Sequence, residues 1–410
     1  MITPGYGLTA TERVLPRLAL DFTTAALDSR VSVTRALNTA TCVGSNGLMQ
    51  IVNANLPRFD FSPVNVGSCN GLLIEESRIN ICQYSEDLSN AVWNKTFTGG
   101  VTVNPNQANG PDGTSNLDLV TSSAIGGKVF QILPTLSFST QYSVSCFVRA
   151  GSATTSSLSI FSTAAGEYVG VNFSWAGNVP STASLIGTPT NVQYTNFSGG
   201  LYRISFTFSS RSAGGHWVLY TPDISAGLGT SYAGYFQVEL GAFTTSYIPN
   251  LTTGTTTRNA DVAVMTSTNF NSWWSSGNGA AVVSAQQLSV ASVFPVVQFD
   301  DATSNSVITL RGNTTSAELY VKNTTDQSQI NAGLIAASST YSLSGGWTTN
   351  NCGAALNGGA AVTDLTAAIP TVSQARLGSD GTNYLNGWLR TMRYWPQRIT
   401  DAELRAFSKL

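Results

Sequence analysis

The chain has 410 residues and is nearly neutral, with 20 Lys+Arg against 22 Asp+Glu, and only 10% of its residues are charged. Such a length predicts two or three domains, and a charge content far below the usual ~25% leaves a surface of hydroxyls and amides, suited to neutral polar ligands or other protein surfaces. The dispersed basic residues exclude a nucleic-acid-binding role, which needs a basic patch.

The first residues, MITPGYGLTATERVLPRLAL, lack a basic segment leading into an apolar one, so no secretory signal is expected. No run of eighteen apolar residues occurs, so no membrane insertion is expected. Five cysteines (Cys42, Cys69, Cys82, Cys146, Cys352) without CxxC spacing read as free, buried thiols made in a reducing cytoplasm, with no disulfide framework and no zinc site. The irregular opening reads either as a tail or as an arm that docks onto a partner. VGSNGLMQ at Val43 is echoed by VGSCNGLLI at Val66, each a Gly/Asn turn feeding an apolar strand.

GLLIEESRINICQYSEDLSNAVWNK, Gly71 to Lys95, gathers Glu75, Glu76, Glu86 and Asp87 into a chain otherwise poor in charge. Adjacent residues of a strand point to opposite faces. Glu75 and Glu76 therefore cannot both flank one scissile bond, as a glycosidase pair must. They read as turn and strand-end residues, with Arg78 close enough to pair with one of them.

Beyond this joint, short runs alternate with period two. QYSVSCFVRAG places Tyr142, Val144, Cys146 and Val148 on one face, and LYRISFTFSS places Tyr202, Ile204, Phe206 and Phe208 in step. Many short strands between turn signals indicate β-sandwiches or barrels. His216, the only histidine, reads as an exposed or half-buried strand residue; alone it excludes His-based multi-ligand metal sites, and no G-x-S-x-G elbow accompanies it. NLTTGTTTRNAD, Asn250 to Asp261, reads as a flexible linker.

In the last third, the adjacent Trp273 and Trp274 are the candidate carbohydrate-binding residues. In an extended segment at least one faces outward, and such rings stack on pyranoses. An inter-subunit or inter-domain contact is the competing role. Trp217, Trp347, Trp388 and Trp395 lie in alternating strands and are expected to fill cores. Asp300, Asp301 and Asn305 form an oxygen-rich loop that either binds calcium or is an ordinary turn. The chain ends on one helix, ITDAELRAFSKL. There Thr400 and Glu403 form a capping box, and Leu404 and Phe407 would pin the helix to a sheet edge.

The joint, with LPRFDFSP (Leu56 to Pro63) before it and YFQVELGAFTTSYIPN and TRNAD after it, resembles a segment of tailed-bacteriophage structural proteins that connects an N-terminal β region to a jelly-roll module. ARLGSDGTNYLNGWLRTMRYWPQRITDAELRAF, Ala375 to Phe407, is similar to the close of concanavalin A-like, laminin-G-type sandwiches. The resemblance implies an all-β chain of tandem antiparallel sandwiches: an N-terminal attachment region over residues 1–80, a jelly-roll over 81–258, and a concanavalin A-like sandwich over 259–410 with one short C-terminal helix. It further implies a non-catalytic virion protein, assembled in the host cytoplasm, of the tail-fibre or head-fibre type. Its partners would be other capsid or tail proteins, its own copies (a trimer foremost) and host-surface polysaccharide. A capsid decoration protein is the first alternative; a polysaccharide-active enzyme, or its carbohydrate-binding module, is the second. No catalytic residue, metal or other cofactor is expected.

Overall fold

A computed structural model describes residues 15–97, 100–163, 166–225, 228–290 and 292–410. The first fourteen residues of the expected tail or docking arm lie outside them. The chain is all-β and divides into two compact units, one of Val33–Asp261 and one of Val262–Leu410 joined by the residues up to Ser32.

The Val33–Asp261 unit is a sandwich of two antiparallel six-stranded sheets. One runs Thr190–Asn196, Leu201–Ser209, Gln141–Ala150, Thr230–Leu240, Ser115–Ser122, Val101–Asn109. The other runs Val179–Ile186, Glu167–Ala176, Thr155–Ser162, His216–Thr221, Lys128–Ile132, Asn94–Phe97. Tyr142, Val144, Cys146 and Val148 enter the shared core with Tyr202, Ile204, Phe206 and Phe208, as their alternation requires. One irregularity interrupts that order. Opposite Ser145–Phe147 the Thr230–Leu240 strand bulges at Tyr235, whose φ of 55° is unusual for an aromatic residue. The bulge lets both Tyr235 and Phe236 be buried.

The C-terminal unit pairs two further sheets. One runs Val362–Asp364, Cys352–Leu356, Thr340–Thr348, Asn278–Gln287, Gly387–Trp395, Leu18–Asp21. The other runs Val262–Thr266, Gln374–Leu377, Val293–Asp300, Ser306–Asn313, Ser316–Asn323, Thr325–Leu334. Asn386, in the left-handed region at φ 47°, turns the chain into the Gly387–Trp395 strand, where a Cβ at Gly387 would strike the Gln286 carbonyl. The closing helix, Asp401–Phe407, has the full capping box of Thr400 and Glu403. It lies on the face of its sheet rather than at an edge: Leu404 is buried among Ala280, Val282, Ala355 and Trp395, and Phe407 stacks on Trp395 at 5.1 Å. Gly346 makes this approach possible, because a Cβ there would come within 2.7 Å of Arg398.

The compact units divide residues 1–80 between Ser32 and Val33: Leu18–Asp21 pairs with Gly387–Trp395, whereas residues 33–80 cluster with the unit that ends at Asp261, in strands outside its two six-stranded sheets. Two expectations need correction. The Asn250–Asp261 stretch is not a free linker, because Thr256–Arg258 pairs with Arg78–Asn80 and Asn250, Arg258 and Asp261 are buried. A second short helix, Ser267–Asn271, precedes the paired tryptophans. All five cysteines are free and buried; burial raises the Cys42 thiol to about 12.

Candidate functional site

The acids of the joint have separate tasks. Glu75 is fully buried; it accepts from Arg58 Nη1 at 2.7 Å and from the Ser246 amide and hydroxyl, and is ion-paired with Arg258 Nη1 at 3.0 Å. Asp261 binds Arg35 at 2.8 Å, both ends of the Arg58 guanidinium, and the Glu75 amide at 2.9 Å. Burial works to raise the Glu75 carboxyl, but Arg258, Arg58 and Ser246 outweigh it and hold it at about 2. Glu76, its neighbour, turns the other way to Arg78. Glu86 is raised to about 7, chiefly by burial, while its bond from Tyr247 at 3.0 Å opposes the rise. Asp87 closes a turn by accepting from the Ser89 and Asn90 amides, and Lys95 clamps it with bonds to the Ser89, Asn90 and Trp93 carbonyls.

This compact loop is docked on the sheet by Gln131. Its side-chain amide bonds both the N–H and the carbonyl of Gln83, each at 2.8 Å. Gln83, Val92 and Asn94 line, together with Phe130, Ile132 and Trp217, a hollow of about 450 Å³. No charged side chain lines it.

Trp217 is the centre of this arrangement. In His216–Thr221, His216, Val218 and Tyr220 point inward, so Trp217 points out. Strand register sets Ile132, Trp217, Phe161 and Tyr168 abreast on four neighbouring strands. Ile132 is 61% and Tyr168 41% exposed. Phe130 lies beneath Trp217, stacked at 4.8 Å and 20°, and is almost wholly covered. Phe97 abuts Trp217 edge-on at 6.0 Å and is itself met by the Lys128 ammonium at 5.2 Å. The indole N–H of Trp217 bonds to no described residue. A flat ring, supported from below and carrying an unused donor beside an amide-lined hollow, can stack on a pyranose and bind a hydroxyl at its edge.

The tryptophans named from the sequence are placed otherwise. Trp273 is buried and Trp274 half-buried, in an aromatic cluster with Phe270, Phe299, Trp347 and Tyr394. Trp273 Nε1 donates to the Asn269 carbonyl at 2.8 Å. The expectation of an outward ring required an extended segment, but Ser267–Asn271 is helical and its turn folds both rings onto the unit. Trp347 and Trp395 are core residues as expected; Trp217 and Trp388 are only half-buried. His216 is fully buried, contrary to expectation, with Nε2 at 3.0 Å from Glu167 and Nδ1 at 2.8 Å from the Gly214 carbonyl.

Asp300 and Asp301 do not converge. Asp300 is buried against Gln298, Gln374 and Arg376, whereas Asp301 closes an Asx turn with Thr303. Among the described residues no group of three or more His, Cys, Asp or Glu is arranged to hold a metal ion. None of the helices described is long and apolar enough to cross a membrane.

No protein-family model and no curated protein matches the chain. Among solved structures it is similar to the CBM40 of the Ruminococcus gnavus IT-sialidase bound to alpha2,3 sialyllactose, at 15% identity and TM-score 0.29 over 33% of this chain and 84% of that one. It is also similar to domain 4 of AbnA, an extracellular arabinanase from Geobacillus stearothermophilus, in complex with arabinotriose, at 10% identity and TM-score 0.28 over 38% and 78%. The SAP-like pentraxin from Limulus polyphemus matches at 12% identity and TM-score 0.26 over 32% and 70%.

Proposed function

We propose that this protein is a non-catalytic glycan-recognition component of a bacteriophage particle, and that the Trp217 platform is where it meets a neutral saccharide. The observation that carries the glycan reading is the pairing of an outward Trp217, stacked on Phe130, with an uncharged hollow walled by Gln83 and Asn94. Aromatic faces remove the apolar side of a sugar from water, while amides and the indole N–H meet its hydroxyls. The particle role rests on the resemblance of the joint and of its flanking segments to tailed-phage structural proteins. The non-catalytic reading is supported by the acids of the joint: Glu75 is locked between two arginines and a serine, and Glu76 faces away toward Arg78.

A glycan array with the intact chain tests binding, and Trp217→Ala tests the location. Retention of neutral host-surface glycans by the parent and its loss in Trp217→Ala is the expected result. Retention unchanged in Trp217→Ala would move the site elsewhere, and no retention at all would sink the glycan reading. Mass spectrometry of purified particles tests the virion role independently.

A further inference from the structure

We propose that the outer face of the C-terminal sandwich holds a second saccharide site, separate from the Trp217 platform, whose ligand carries a carboxylate. The site follows from strand register. Inward-pointing Val297, Phe299, Ile308, Leu310, Leu319 and Val321 are buried in the core. Their alternates therefore face outward, and pairing sets Arg376, Gln298, Thr309 and Tyr320 abreast across four strands. At ~4.8 Å between strands, the outer two stand ~14 Å apart. The middle of this row is low. Thr309 turns its hydroxyl back to the Val297 carbonyl at 3.0 Å, and its neighbour along the strand on the same face is Val307. The flanks are high, with Tyr320 under the Arg311 guanidinium at 3.9 Å on one side and Arg376 beside the Asp380–Asn383 loop on the other. The result is a trough of about 440 Å³, within the range of small-ligand sites.

Its electrostatics select the ligand. Every acid bordering the trough is already engaged. Asp300 accepts from Arg376 Nε at 3.0 Å and from Gln298 at 2.9 Å. Glu318 accepts from Arg311, Asn313 and Gln329. Asp380 accepts from Asn383 Nδ2 at 2.8 Å, and Asp326 from the Tyr320 hydroxyl. The cations are not used up in this way. Lys322 Nζ bonds to no described residue, and Arg376 commits only its Nε, leaving the Nη groups toward the trough.

The donors that remain are therefore cationic, and they stand beside an aromatic wall and the Gln298 amide. A planar guanidinium takes a carboxylate through two parallel bonds, and Lys322 adds a point charge. Two cations with donors to spare suit one carboxylate; a nucleic acid or polyphosphate would need a far more basic surface.

The test uses the intact chain and three probes, oligogalacturonate, glucuronate and N-acetylneuraminate, each titrated against its methyl ester by calorimetry. The ester keeps shape and hydroxyls and removes only the charge. At least one acid is expected to bind ten-fold or more tightly than its ester. In Lys322→Met that preference should fall about ten-fold with thermal stability unchanged, since Lys322 supports no other group. Trp217→Ala should bind the acid as the parent does. Acid and ester binding alike, an unaltered preference in Lys322→Met, or no acid binding at millimolar concentration would each overturn the proposal. None of these outcomes bears on neutral-glycan retention at Trp217.

Discussion

The two sandwiches distribute charge and aromatic surface in opposite ways. In Val33–Asp261 five ionised groups (Arg35, Arg58, Arg258, Glu75, Asp261) are buried in one network, and the outer sheet face displays rings. In the C-terminal unit six rings, Trp273 and Trp274 among them, are packed together, and the outer face displays Arg311, Lys322 and Arg376. A buried charge must be paired to be tolerated, so Glu75 is a structural group despite its suggestive sequence. A ring turned to water serves packing poorly, so Trp217 is the better recognition candidate although its sequence context is ordinary. The same residue types thus change roles with the side of the sheet on which they fall.

The largest test of this contrast lies in the buried network. Arg58→Met leaves Glu75 and Asp261 short of a partner and should destabilise the first unit by about 3–5 kcal/mol. Lys322→Met should change unfolding by less than about 0.5 kcal/mol. Urea unfolding of both variants checks the pair, and equal effects would break the comparison. The tryptophans should separate the other way. Trp273→Ala should cost about 3–5 kcal/mol of stability, whereas Trp217→Ala, losing its ring contacts on a half-buried face, should cost only about 1–2 kcal/mol and weaken neutral-glycan binding about ten-fold, or ~1.4 kcal/mol.

A smaller effect is expected with pH, and its sign differs between groups of the first unit. Glu75 lies near 2 against an ordinary 4.5, so the stability it contributes is present above 4.5 and lost as pH falls toward 2. Glu86, raised to about 7, and Asp118, raised to about 6 chiefly by burial, hold protons more tightly when folded. Their contribution is complete below their ordinary values of 4.5 and 3.8 and is lost as pH rises through 6 and 7. Thermal midpoints of the first unit should peak near about pH 5, and Glu86→Gln should flatten the alkaline limb by about 1–2 kcal/mol. An unaltered alkaline limb in that variant would place the titration elsewhere. Smallest of all, raising salt to about 0.5 M should weaken acid-sugar binding at the Lys322 trough severalfold while leaving the Trp217 platform unaffected.

The sequence by itself determined the all-β class, the inward faces of Gln141–Ala150 and Leu201–Ser209, and the capped final helix. Each depends on local chemistry: period-two alternation or a capping box. Strand alternation also predicted that Glu75 and Glu76 diverge; they do, although both lie in the short connection between the Cys69–Ile74 and Arg78–Asn80 strands. Tertiary structure alone decided the rest. Alternation puts Trp217 out of step with Val218 and Tyr220, yet it does not say which face is covered. That depends on Phe130 and Phe161 from other strands and on a loop pinned by Gln131. Trp273 and Trp274 would be exposed in an extended chain, but the five-residue helix Ser267–Asn271 turns them onto the unit. Glu75, Arg58, Arg258 and Asp261 are separated by up to 203 residues, so no spacing rule in the sequence could bring them into one network. Only the closing of the sheets did so.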